Sequence, residues 1–257
     1  MNGKYFRTEE IKPQMNRLAN VAYSAGDVLF NWTAFTIPKG SCIIRSCVIK
    51  MQGTNAGAGN GDLDFTLYFA KRGNPGAADA NPISLGIENS APTVAATTAA
   101  RPNIIASMVI DGSSLEDSQD GLISYNVLGD GSKRNNPVLM IGSGVADLGP
   151  ADGSAQTLFI AGVASGAYDF GTGVDVAGAH SADDLTIVTD GTDAHTVFAI
   201  GDVVQANDAD GSDPTAIGTV TAVLANLITV DAAPNDIDDD HEITNRSPIT
   251  LVMGLEY

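Results

Sequence analysis

Basic side chains are scarce in this sequence: 13 Lys+Arg stand against 31 Asp+Glu, leaving a formal net charge of -18. Neutralising phosphates takes clustered Lys and Arg, so nucleic acid is excluded as a partner of the whole surface. Aromatic residues make up 6%, with Trp32 the lone tryptophan, which argues against the aromatic-lined cleft of a sugar-cleaving enzyme. No apolar run approaches the roughly 18 residues of a membrane span, so no membrane is expected as a partner. The start, MNGKYFRTEEIKPQ, lacks the apolar stretch of a secretory signal. Cysteine is limited to Cys42 and Cys47 in SCIIRSCVI. On one strand they face opposite sides, ~16 Å apart at strand rise. A disulfide needs Cα atoms within about 7 Å, so free thiols and folding in a reducing cytoplasm are expected.

Catalytic signatures are also missing. The chain contains no G-x-S-x-G elbow, no H-E-x-x-H and no P-loop lysine. Gly57, Gly59 and Gly61 precede a strand rather than a helix, and FGTGVDVAG has its third glycine too late for a dinucleotide turn. His180, His195 and His241 show no metal-ligand spacing. His241 sits among Asp236, Asp238, Asp239, Asp240 and Glu242, while Asp208, Asp210 and Asp213 form a second acidic loop. Hard-cation sites use such carboxylates, but dense acid in a loop is more often simply solvated, and Gly211 breaks the EF-hand spacing. The expectation is therefore no enzyme, no catalytic residues, no cofactor and no metal. The sequons at Asn31 and Asn245 carry little weight without a secretory signal.

What the chain does have is apolar content of 44%, with 28 Gly and 11 Pro and only 17% charged residues, the mark of a turn-rich β protein. Its charge is lopsided. Residues 1–134 hold 12 basic and 12 acidic side chains, whereas residues 135–257 hold Arg246 alone against 19 acidic ones. One part is thus suited to docking, and the other to repelling its own kind and staying hydrated.

Three regions follow from the patterning. Residues 1–22 read as an N-terminal arm, interrupted by Pro13 and without an apolar stripe of its own. Residues 23–180 read as a β body. Leu63, Phe65, Leu67 and Phe69 alternate with polar neighbours, and further strand-like runs lie at 25–52, 104–110, 121–128, 137–143 and 155–165. Residues 181–244 read as an inserted acidic module of short strands, with Gly201 and Gly218 suited to sharp bends in a small barrel. Residues 245–257, ending in SPITLVMGLEY, return as the last strand of the body. The fold class expected is all-β: a β-sandwich or jelly-roll-like body with a small inserted barrel-like module.

The stretch DLDFTLYFAKRGNPGAADANPISL resembles a pattern in structural proteins of tailed bacteriophages, a strand ending in aromatics followed by a Pro-containing loop. The segment FAIGDVVQANDADGSDPTAIGTVTAVLANLITVDAAPNDIDDDHEI is similar to small β modules appended to phage capsid proteins, and SPITLVMGLEY resembles a phage structural C-terminus. These likenesses span about half the chain. They imply a capsid decoration (cement) protein on the virion surface, made in the host cytoplasm, a homotrimer bound to the major capsid protein. On that reading Lys4, Tyr5, Phe6, Arg7, Lys12 and Arg17 supply the capsid or subunit interface, being of types enriched at interfaces or basic. The rival readings are a phage tail component or receptor-binding adhesin, and, further off, a β-sandwich hydrolase.

Overall fold

The computed structural model of the chain describes residues 5–16, 22–38, 41–52, 64–71, 82, 84–93, 96, 98, 100–110, 122–128, 138–140, 155–170, 173–191, 193–208, 215–233 and 235–257. These residues are nearly all β, as the patterning anticipates. They form two open sheets and one closed barrel.

The first sheet runs β1 (Phe6–Ile11), β15 (Ile249–Glu256), β3 (Ser41–Gln52), β6 (Leu122–Leu128), with β7 (Val138–Met140) paired to the start of β3. The second runs β2 (Val28–Pro38), β8 (Ala155–Ala164), β4 (Phe65–Ala70), β5 (Ile104–Ile110). Every pairing between these strands is antiparallel, and the pairs are nested: β1 with β15, β2 with β8, β3 with β6, β4 with β5. A long hairpin rolled so that successive pairs fall alternately in one layer and the other has this order, which is the winding of a jelly roll.

Alternation explains which residues fill the space between the sheets. Phe65, Leu67 and Phe69 of β4 are buried while Thr66 and Tyr68 are half-buried. Phe35 and Ile37 of β2, Leu158 and Ile160 of β8, Ile44 and Ile49 of β3, and Leu251 and Met253 of β15 complete one continuous core. Gly162 leaves room for the buried Phe30 ring, its cross-strand neighbour. Both cysteines belong to this core as free thiols, on one face of β3 rather than on opposite faces, because a register shift against Gly254 and Leu255 makes Arg45 an extra residue between them. Burial pushes the Cys42 thiol up to about 11 and the Cys47 thiol up to about 12.

The barrel closes through β9 (Val174–Val176), β10 (Thr186–Asp190), β13 (Leu227–Val230), β12 (Thr215–Leu224), β11 (Val203–Asn207) and β14 (Glu242–Asn245). It has its own core, including Val176, Ile187, Val204, Ile217, Ile228 and Ile243, with Phe198 following the one-turn helix Ala194–Val197. Its first strand begins at Val174, ahead of the Ser181 expected from sequence. The reason is local: β9 is three residues long and has no periodicity to read. At the β9–β14 seam, a Cβ on Gly173 would lie 2.0 Å from the Ile243 carbonyl oxygen, so the backbones meet there only because the residue is glycine.

The N-terminal segment departs from its reading as an arm. Residues 6–11 are a full strand of the first sheet, in register with β15 from Phe6–Glu256 to Ile11–Leu251. Ile11 and Met15 are buried in the body core. The segment is held by backbone pairing plus those two side chains, so its sequence shows almost no apolar stripe. No described helix is long and apolar enough to cross a membrane.

Candidate functional site

The residues singled out from sequence fall on the outer edge of the roll. β1 ends the first sheet, and no other described strand pairs with its outer side. Tyr5 and Tyr257 exchange backbone hydrogen bonds, N to O, at 3.1 Å in both directions. Hydrogen-bonded and non-bonded pairs alternate along an antiparallel ladder. Phe6, Thr8 and Glu10 therefore turn their N–H and C=O groups away from β15, toward the open side.

Side chains give this edge a definite character. Tyr5 and Tyr257 stack with ring centroids 5.8 Å apart and planes at 25°. Tyr5, Phe6 and Tyr257 are 63%, 69% and 46% exposed, an aromatic corner at one end of the edge. The Arg7 guanidinium donates to Glu9 at 2.9 Å, and Lys12 lies 3.4 Å from Glu10. Next to the corner, Arg45 of β3 pairs with Glu256 of β15. Tyr5, Phe6, Arg7 and Lys12 thus share one strand and its flank, while Lys4 and Arg17 lie outside the described residues. Sequence reading missed Tyr257 and Glu9, whose positions depend on pairing and on a contact across the sandwich. A C-terminal aromatic beside a returning strand was the one available signal.

The neighbouring edge, that of β2, is covered. The Thr36 N–H donates to Glu9 Oε1 at 3.2 Å. Farther along, Val28 N–H donates to Ser90 O at 3.0 Å and Asn89 N–H to Val28 O at 2.9 Å. Glu88 accepts from the backbone N–H groups of Asn16 and Asn31, and Asn31 Nδ2 donates to Gly86 O at 2.9 Å. Burial raises the Glu88 carboxyl above its ordinary range, opposed by those N–H donors and by the charge of Arg246. Arg246 in turn donates to Asn16 Oδ1 at 3.2 Å, and its carbonyl accepts from Met15 N–H at 2.7 Å. The chain leaves the barrel at this point, directly before β15. Of the two sequon asparagines, Asn31 is committed to the 84–86 segment, and buried Asn245 accepts from Ser247 N–H at 2.7 Å.

The acid of the barrel has a structural use. Between Val174 and Asn245 lie 15 of the chain's 31 acidic residues and none of its 13 basic ones. Many of these aspartates fasten turns by accepting backbone N–H groups: Asp239 from Gly178 at 2.6 Å, Asp236 from Ala182 at 2.7 Å, Asp202 from Ala199 at 2.8 Å, Asp231 from Thr219 at 2.6 Å. The Thr219 N–H holds the Asp231 carboxyl below its usual range. His241 Nε2 lies 3.2 Å from Asp208 and 3.9 Å from Asp238. His195 pairs with Asp193, and His180 accepts from Val188 N–H, so the three imidazoles do not converge. No group of three or more His, Cys, Asp or Glu side chains placed to hold a metal occurs among the described residues. Asp210 and Asp213, like Gly57, Gly59 and Gly61, lie outside them.

No protein-family model matches the sequence, and no curated protein is similar to it.

Proposed function

We propose that this chain is a structural subunit of a phage virion, a capsid decoration protein that seats its jelly-roll body on the major capsid protein and turns its acidic barrel to solvent. The observation that carries this reading is the division of charge between two cores. The barrel is uniformly anionic over 15 acidic residues, while the remainder of the chain holds all 13 basic ones and comes close to balance. Such a molecule has one part able to approach another surface and one part that repels its own copies. Double-sheet jelly rolls recur in viral capsid and lectin domains, which supports the assignment as analogy. The contact residues assigned are Tyr5, Phe6, Arg7 and Lys12 on the β1 edge, with Lys4 and Arg17 from the adjoining sequence. The resemblance implies a homotrimer, no cofactor, no catalytic activity and a place on the outside of the virion.

Co-sedimentation with empty shells assembled from the major capsid protein tests this reading, followed by electron microscopy of decorated shells. Density for the two-sheet body against the shell with the barrel outward is the expected result. Absence of binding, location in a tail, or specific capture of one sugar on a glycan array would overturn it, the last favouring an adhesin. Deleting residues 1–20 is not a clean test, because it removes β1 and the buried side chains of Ile11 and Met15.

A further inference from the structure

We infer that the open edge of β1 is a self-pairing edge: two copies of the chain join antiparallel through β1, with Thr8 opposite Thr8, into one continuous sheet. This departs from the homotrimer that the resemblance implies, and it gives the β1 residues assigned above as contacts a second copy of the chain as their partner; it does not depend on what surface the body sits on.

The backbone is ready for such pairing. Phe6, Thr8 and Glu10 direct their N–H and C=O groups outward, as the reciprocal Tyr5–Tyr257 bonds require, and all three residues are exposed. An edge of this kind is a template for another strand. The covered edge of β2 makes the contrast, since Glu9 and the 84–90 segment already occupy its donors.

Charge selects both the occupant and the register. When a sheet continues through a two-fold axis perpendicular to it, residues of the inner face meet residues of the inner face. Three registers then centre the strand: Arg7 on Arg7, Thr8 on Thr8, or Glu9 on Glu9. The first stacks two guanidiniums and the last two carboxylates, both destabilising when directly opposed. The middle register places Arg7 opposite Glu9 of the second copy, and Glu9 opposite its Arg7. These fall at the closely spaced, non-hydrogen-bonded positions where Cα atoms approach to about 4.5 Å. It also pairs the outward-pointing backbone of Phe6 with that of Glu10, and Thr8 with Thr8, so each exposed donor finds an acceptor. The Glu9 carboxylate has lone pairs to take a second guanidinium beside its own Arg7. Charged edges also serve to keep strands apart. A repelling edge carries one sign, however, whereas the alternation of Arg7 and Glu9 makes this one complementary to itself.

A two-fold contact of this type is isologous and closes at two chains. Sedimentation velocity on the full chain is expected to give the mass of two copies. Thr8→Pro removes only an outward N–H, which an edge strand tolerates, and is expected to give the mass of one copy with unchanged circular dichroism. Arg7→Glu and Glu9→Arg are each expected to sediment as single chains and, once mixed, as a pair. Thr8→Cys is expected to form an intermolecular disulfide under mild oxidation, because a narrow antiparallel pair holds Cα atoms about 5.5 Å apart; Phe6→Cys and Glu10→Cys, each alone, are not. A single-chain or three-chain mass for the unaltered protein would overturn the inference. So would a Thr8→Pro variant that still pairs, or cross-linking at Phe6→Cys or Glu10→Cys in place of Thr8→Cys.

Discussion

Glu9 and Thr36 join the two layers of the roll at their shared margin: the carboxylate on β1 of the first sheet accepts the backbone N–H of β2 in the second at 3.2 Å. That N–H points off the sheet edge, where no described strand pairs with it. Glu9→Ala is expected to leave it without its protein acceptor and to lower unfolding stability by about 1 kcal/mol, the usual net worth of such a bond. Urea denaturation compares the two proteins, with Glu9→Gln, which keeps an acceptor oxygen, expected to lie between them.

Two glycines test the two cores separately. At Gly162 a methyl group would lie 2.5 Å from the Phe30 ring, and at Gly173 it would lie 2.0 Å from the Ile243 carbonyl. Overpacking of this kind costs typically about 1–3 kcal/mol. Gly173→Ala is expected to cost more than Gly162→Ala, because a backbone carbonyl fixed in the β9–β14 seam moves less readily than a ring. Hydrogen exchange is expected to localise the added opening to barrel amides for Gly173→Ala and to the body for Gly162→Ala.

The cysteines provide a chemical readout of folding. With thiols raised to about 11 and about 12 and both side chains buried, neither Cys42 nor Cys47 is expected to react with iodoacetamide in the native protein at mildly alkaline pH. Both are expected to react on adding denaturant. The unfolded chain ionises its thiols near 9.0 and the folded chain does not, so their contribution to stability is intact below that pH and lost as pH rises through the folded values. Cys42→Ala/Cys47→Ala is expected to flatten this alkaline decline in a pH series of melting temperatures. A decline unchanged by the double substitution would refute the assignment.

Glu88 ties the barrel exit to the body. Its carboxyl titrates above the ordinary range, so its effect on stability is most favourable below the unfolded value near 4.5 and falls away as pH rises through the folded one. Arg246 opposes that shift, so Arg246→Ala is expected to move the Glu88 midpoint upward in carboxyl-carbon NMR. A midpoint that moves down or stays put would show that Arg246 and Glu88 do not sense one another.

How far the sequence discloses these features depends on what holds each element. Strands with one buried face were legible: the alternation of Phe65, Leu67 and Phe69 gives β4, and the run at 104–110 coincides with β5. β1 escaped notice because its hold is a ladder of backbone bonds to β15, and of its side chains only Ile11 is fully buried. The nesting of pairs was out of reach for a different reason. It is fixed by contacts between residues as distant in sequence as Phe6 and Glu256, for which local periodicity has no code. The acidic loops were visible, but their use was not: whether an aspartate fastens a turn or faces a cation depends on where the next backbone N–H points.

Because the outermost pair of the nested hairpin is β1 with β15, the path of the chain returns to its own beginning, and Tyr5 rests on Tyr257. Any sequence grafted before the one emerges alongside any sequence grafted after the other. The two tyrosines therefore offer a natural splice point: a short linker between them would join β15 to β1 without disturbing either strand. A bulky group attached at Tyr257 would sit like a doorstop against the margin assigned to self-recognition.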